Sequence, residues 1–357
     1  MNLDLEYLPV LGNKRDYGIA IIGAGGIVNA AHLPAYRKAG FNVIGLTDKE
    51  IDKAKQTALS FELAKVYPTV EALLADEAVE IVDIAVPPWA QKDLVRQATE
   101  AGKHLLCQKP LSNVYSDAVE IVEMAEANGV KLAVNQQMRW DQAVRASRTV
   151  LNRGLLGEPA SAVIDVSILT EWQTWPWALT VEGLDLMYHS IHYFDSMRCL
   201  FGLPERVWSS GSGYPGQTAI GETRTISVFE YSNTFRVLVS VNHNNWTEEC
   251  FATLRIDGTE GYVAGTFGLL YDYPHGRPDT FSYSSRQIDS NKTINHRFNE
   301  RWIPDSFVGP MGELMLAIEE DRLPETNGRD NLMTLQLVHA AYKSMAEHRS
   351  VSPAEIS

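Results

Sequence analysis

The run Gly23-Ala24-Gly25-Gly26-Ile27-Val28 directly follows the apolar stretch Gly18-Ile19-Ala20-Ile21-Ile22, and residues of these types in this order can hold a phosphate. Gly23 permits a tight turn and Gly25 lets the backbone approach a pyrophosphate. The helix N-terminus that follows, at Gly26 and Ile27, offers free N–H groups and a positive dipole. Asp48 stands 20 residues after Val28, where a carboxylate can accept hydrogen bonds from an adenosine ribose. The same carboxylate repels a 2′-phosphate, so NAD is expected over NADP, with Lys49 next door softening the preference. A glycine triplet alone also fits an ordinary turn, and Val28 occupies the usual third glycine position.

A second group of reactive side chains lies in Asp185-Leu186-Met187-Tyr188-His189-Ser190-Ile191-His192. Four-residue spacing sets Asp185 and His189 on one helix face, where a carboxylate can orient an imidazole for proton transfer. His192 lies one turn further on. Asp185, His189 and His192 have spacings that can converge on a metal, but nothing else in the sequence supports one, and none is expected.

These residues need elements to position them. Apolar runs at 18–22, 41–46, 80–86, 104–107 and 131–134 alternate with helical stretches, the pattern of a doubly wound parallel sheet with ligand-facing loops after its strands. Val86 and Pro87 fall in one such loop. From about Ala160 the pattern turns to alternating strands, with a hairpin break at Ser232-Asn233, and predicts a large, mostly antiparallel sheet. Between them lies Glu171-Trp172-Gln173-Thr174-Trp175-Pro176-Trp177, a proline-broken loop whose Trp172 and Trp175 suit either the C–H faces of a sugar or simple packing. Asp305, after Trp302, is a weaker candidate for the same wall. The expected architecture is α/β, a Rossmann domain over 1–138 and an α+β substrate-binding and oligomerisation domain over 139–357.

Composition narrows the partners. A net charge of -14 and no Lys/Arg block disfavour nucleic acid. Three cysteines without a CxxC pair suggest neither disulfide framework nor structural zinc. No 18-residue apolar run and no secretory leader pattern are visible, so a cytoplasmic protein without membrane attachment is expected.

Gln108-Lys109-Pro110-Leu111, preceded by Ala101-Gly102-Lys103-His104, resembles the glucose-fructose oxidoreductase and inositol dehydrogenase family (Gfo/Idh/MocA). His32-Leu33-Pro34 after the glycine loop, the Val86-Pro87-Pro88 turn and the run Val338-His339-Ala340-Ala341-Tyr342-Lys343-Ser344 fall in the same family order. The resemblance implies a dehydrogenase acting on a sugar, polyol or related compound, commonly a homodimer or homotetramer. It places Lys109 near the nicotinamide and the reacting carbon, where an ammonium can polarise an oxygen. Gln108 and Gln136 become cofactor contacts and Arg139 a pocket residue. Gln108 stands where a glutamate is usual and Gln91 where many members have histidine, the latter read as peripheral. Aligned on Asp195, Leu200 and Gly202, the family's basic histidine is His192 and its aspartate position holds Tyr188, whose phenol can serve in proton transfer if its pKa is lowered. Aligned on the pair itself, Asp185 and His189 take those roles. An NAD-dependent glycosidase using transient sugar oxidation, and a silent cofactor-binding regulator, are the alternatives.

Overall fold

The computed structural model describes residues 3–273 and 275–357, which form two compact units. The first comprises Pro9–Gln137 and Ile303–Leu332. Its strands β1 (Ile19–Ile22), β2 (Val43–Thr47), β3 (Lys65–Val66), β4 (Ile81–Ile84), β5 (His104–Cys107) and β6 (Leu132–Val134) form a parallel sheet ordered β3-β2-β1-β4-β5-β6. Every residue of β1, β4 and β6 is buried, which explains why β1 and β6 read as continuous apolar runs and β4 as one broken only by Asp83. The strand order reverses between β1 and β4, so the loops leaving these two strands flank the crevice where such sheets take ligands.

The intervening helices include α1 (Leu33–Ala39), α2 (Ile51–Phe61), α3 (Val70–Leu74), α4 (Gln91–Glu100) and α5 (Tyr115–Ala127). The core of this unit joins Ile19, Ile21, Tyr36, Leu46 and Leu106 to Phe307, Met311, Leu314 and Met315, which come from the far end of the chain. That returning segment also pairs with β6, Val134 N–H donating to Thr326 O at 2.8 Å.

The second unit takes the N-terminal stretch to Leu8, Met138–Trp302 and Met333–Ser357. Helices α6 (Gln142–Asn152) and α7 (Ile191–Phe201) accompany a sheet of eight strands: β7 (Pro159–Ser167), β8 (Arg206–Ser212), β9 (Arg224–Glu230), β10 (Arg236–Asn242), β11 (Phe251–Gly258), β12 (Gly261–Thr266), β13 (Thr280–Ser285) and β14 (Ile294–Arg297). Neighbours run antiparallel except β7 and β10, which are parallel. Alternate residues such as Val237, Val239 and Val241 are buried, leaving a more exposed opposite face, as period-two patterning requires. α8 (Val308–Glu319) belongs to the first unit, whereas α9 (Gly328–Glu347) starts among residues of the first and ends among residues of the second. The expected boundary at 138 falls beside Gln137, but both units are discontinuous in sequence.

Asp141 caps α6, accepting from Ala143 N–H and Val144 N–H at 3.1 and 3.3 Å, while Asp279 accepts from Gly268 N–H at 2.6 Å. The two buried carboxyls hydrogen-bond to each other, and burial raises both pKa values, that of Asp279 to about 6.

Candidate functional site

The glycine loop is built as its residue types demand. Gly23 has φ +118°, and a Cβ there would lie 2.5 Å from Ala85 O, so only glycine fits. Asn29 Nδ2 donates to Ala24 O and Gly25 O at 3.1 and 2.9 Å, and Ala24 N–H donates to Asp48 Oδ2 at 2.7 Å. Asp48, just past β2, therefore pins the loop while keeping further acceptor capacity on each oxygen. A Cβ on Gly25 or Gly26 would meet no atom within 4 Å, so that side of the loop is open to a ligand. Ile27 continues into the helix with φ -68° and ψ -32°, and Val86 and Pro87 leave β4 half-buried and exposed. Gln136 is buried, yet neither its amide nitrogen nor its oxygen has a protein partner. This donor set fits a dinucleotide.

Lys109 follows β5 and precedes a cis peptide bond to Pro110. The side chain is half-buried, and loss of hydration around its ammonium lowers the pKa to about 7. Its peptide groups are held from two directions. Lys109 N–H donates to Gln108 Oε1 at 2.8 Å, and Gln91 Nε2 donates to both Gln108 O and Pro110 O at 2.9 Å. Gln91 is fully buried and far from peripheral. Sequence reading missed this because the contact depends on α4 starting beside the end of β5. It also missed His32, Tyr36 and Asp83. His32 Nδ1 lies 2.6 Å from Asp83 Oδ2, Tyr36 hydroxyl donates to the same oxygen at 2.7 Å, and all three side chains are buried.

In the second unit, the histidine segment forms a wide π-type turn, Leu186–Ser190, leading into α7. Glu222 caps its start, accepting from Leu184 N–H and Leu186 N–H at 3.0 and 3.1 Å. Asp185 is fully buried and is the hub of the segment. Its carboxylate takes the Ser190 hydroxyl at 2.8 and 2.9 Å, the Thr225 hydroxyl, and His243 Nε2 at 2.8 Å, with His189 Nδ1 at 3.4 Å. Burial alone would raise its pKa, but the His189 and His243 contacts outweigh that and hold it well below the usual carboxylate range.

Asp185 thus supports His189, while the ring of His192 meets the edge of Trp302 at 5.4 Å. Asp195 is occupied elsewhere, gripping Arg139 Nε and Nη2 at 2.7 Å each. Arg139 is buried in that pair, which fixes the orientation of its planar fork. Tyr188 departs from expectation. Burial raises its phenol pKa instead of lowering it, and the ring packs against Trp177 at 4.9 Å. It is a hydrogen-bond donor near neutral pH, not a base.

His243, from just beyond β10, had no signal in sequence. Ligand atoms of Asp185, His189 and His243 lie within 4.8 Å of one another, a set able to take a metal, with His243 in place of the His192 that spacing suggested. The same groups are also satisfied as hydrogen bonds, since hydroxyls hold both Asp185 oxygens and Thr170 Oγ1 meets His243 Nδ1 at 2.7 Å.

Trp172 lies edge-on to His243 at 4.9 Å and to Trp175 at 6.2 Å. With Thr170, Glu171, Gln217 and Asn244 it lines a cleft of about 290 Å³, an aromatic wall facing polar groups. Asp305, in the first unit, pairs with Lys38 at 2.8 Å, so its charge is already matched. Among the described residues no helix is long and apolar enough to cross a membrane.

A family model described as oxidoreductase family, NAD-binding Rossmann fold, matches residues 17–136, and one described as the GFO/IDH/MocA C-terminal domain matches 144–264. D-apiose dehydrogenase of Paraburkholderia graminis is 28% identical over 95% of this chain and 90% of its own. An oxidoreductase from Agrobacterium radiobacter, solved with NAD+, L-tartaric acid and magnesium, superposes with a TM-score of 0.84 at 22% identity, covering 96% of this chain and 100% of that one. An aldose-aldose oxidoreductase from Caulobacter crescentus, solved with glycerol, gives 0.81 at 19%, covering 95% and 100%.

Proposed function

Given that the chain belongs to the Gfo/Idh/MocA family and is an oxidoreductase, we propose that it oxidises one hydroxyl of a sugar, polyol or sugar derivative and prefers NAD to NADP. The observation that carries this reading is the turn at Lys109, a lysine anchored at the ligand end of a nucleotide-binding sheet with an amine that can deprotonate near neutral pH. Bound nicotinamide supplies the hydride acceptor. The chain's own residues bind and orient: the loop at Gly23, Gly25, Gly26 and Ile27 for the pyrophosphate, Asp48 for the adenosine ribose, and Gln136 for a polar group of the cofactor. Val86, Pro87 and Gln108 complete that list. Asp48 supports NAD because its carboxylate, already against the loop backbone, opposes a 2′-phosphate.

Oxidation also releases a hydroxyl proton. Lys109 in the first unit and an imidazole in the second, His192 by alignment or His189 by its Asp185 support, are the acceptors to be distinguished. Trp172 and Trp175 are proposed to bear on the carbohydrate, beside the polar groups of the cleft. A cytoplasmic homodimer or homotetramer completes the proposal.

The test is calorimetric titration with NAD+ and NADP+, followed by NADH formation at 340 nm with a panel of aldoses, ketoses and polyols that includes D-apiose. Tighter NAD+ binding and stoichiometric NADH with a ketone or lactone product are expected. Absence of binding to either dinucleotide would refute the reading, and release of an aglycone without net NADH would replace it with the glycosidase.

A further inference from the structure

Resting on the role proposed for Lys109, we infer that Gln91 and His32 are positioning residues that hold the turn carrying this lysine: Gln91 directly, through the carbonyls of Gln108 and Pro110, and His32 through the Gln108 amide. A primary amide nitrogen has two hydrogens. In Gln91 the carbonyls of Gln108 and Pro110, both at 2.9 Å, account for both. Gln108 Oε1 takes Lys109 N–H, the other half of the peptide group whose carbonyl Gln91 holds, at 2.8 Å. The peptide group before Lys109 and the carbonyl of Pro110 after it are therefore fixed, and with them the Cα–Cβ direction in which the lysine side chain sets out.

The orientation of Gln108 is itself determined. With Oε1 on Lys109 N–H, its nitrogen faces His32 Nε2 at 3.2 Å, and Asn135 Nδ2 faces the same atom at 3.4 Å. Two amide donors converge on one ring nitrogen, so that nitrogen must be an acceptor, and the imidazole proton sits on Nδ1. There Asp83 Oδ2 accepts it at 2.6 Å, which settles the tautomer from both sides. Turning the Gln108 amide over would set Nε2 against Lys109 N–H, donor against donor.

The side chains of Gln91 and Gln108 that hold the turn are both amides, and Asp83 enters the network only through His32. A carboxylate in place of the Gln108 amide would sit next to the lysine and favour its ammonium. The amide leaves dehydration as the dominant influence, in keeping with the lowered pKa of Lys109. The amides thus fix the backbone from which the lysine side chain leaves without adding a charge of their own.

A double-mutant cycle tests the inference in the full-length enzyme with saturating NAD+ and the best substrate of the panel. Gln91→Met keeps the length of the side chain and removes both donors. It is expected to lower kcat about tenfold or more while KM for NAD+ and substrate stay within about twofold, and Gln91→His, with one ring donor, is expected to recover part of the loss. In a Lys109→Met background the same Gln91→Met change is expected to cost less than about twofold, because nothing remains to position. Equal losses in both backgrounds, or unchanged kcat in Gln91→Met, would overturn the inference. A Lys109→Met enzyme of undiminished activity would instead overturn the proposed role of the lysine. Histidine-labelled nitrogen NMR on the unmutated protein gives a reading independent of folding: the neutral His32 ring is expected as the Nδ1–H tautomer, and an Nε2–H tautomer would overturn the inference.

Discussion

Lys109 in the first unit and His189 in the second are gripped in opposite ways. The lysine turn is held through its peptide groups by two neutral amides, whereas the imidazole lies against a buried carboxylate that also binds His243, Ser190 and Thr225. A neutral grip leaves burial free to favour the uncharged amine. A carboxylate grip instead aims the ring nitrogens themselves. The contrast shows two ways to place a group: amides hold the backbone beneath the lysine, while a carboxylate holds the functional ring itself.

The strongest attempt to break this comparison is Lys109→Met, expected to lower kcat by about 10²–10⁴ with NAD+ affinity retained, measured by steady-state kinetics and calorimetry. Next is Asp185→Ala, which strands buried imidazole and hydroxyl groups around a lost acceptor. A loss of about 3–5 kcal/mol in urea unfolding is expected, against about 1–3 kcal/mol for Gln91→Met, where only neutral carbonyls lose partners. Equal losses would erase the distinction between the two grips. The third concerns pH. The amine of Lys109 takes a proton only when neutral, so kcat/KM for oxidation is expected to fall with decreasing pH below about 7, approaching tenfold per unit, and this limb should vanish in Lys109→Met.

The smallest effect concerns the Asp141–Asp279 pair, a third mode in which two buried acids share a proton. Their folded pKa values exceed the unfolded ones, so the folded state holds the extra proton and stability falls as pH rises from about 4 through about 6. Asp279→Asn removes one titration. Its stability relative to the parent is expected to improve by about 2 kcal/mol between pH 4 and 8, read from urea unfolding at each pH.

Much of the first unit was legible because local rules govern it. Buried parallel strands read as apolar runs, and Gly23 announces a backbone that no other residue can adopt. Lys109 was legible through its Pro110 neighbour and the order of surrounding motifs. Gln91, His32 and Asp83 were not, because their meaning arises where α4, the helix after the glycine loop and β4 converge, and no periodicity records that convergence. His243 escaped for the same reason, approaching Asp185 from a strand 58 residues further along the chain. Arg139 and Tyr188 were placed by alignment alone, which could foresee neither the Asp195 pair of the first nor the burial that raises the phenol pKa of the second.

The return of residues 303–332 to the first unit has a practical consequence for anyone wishing to cut this protein apart. A fragment ending near 138 would lack Phe307, Met311, Leu314 and Met315, four large side chains of its own core, and would leave the edge of β6 without Thr326. Such a fragment is an incomplete fold, not a smaller protein. A minimal nucleotide-binding piece would have to be spliced, with 9–137 joined to 303–332 by a designed linker.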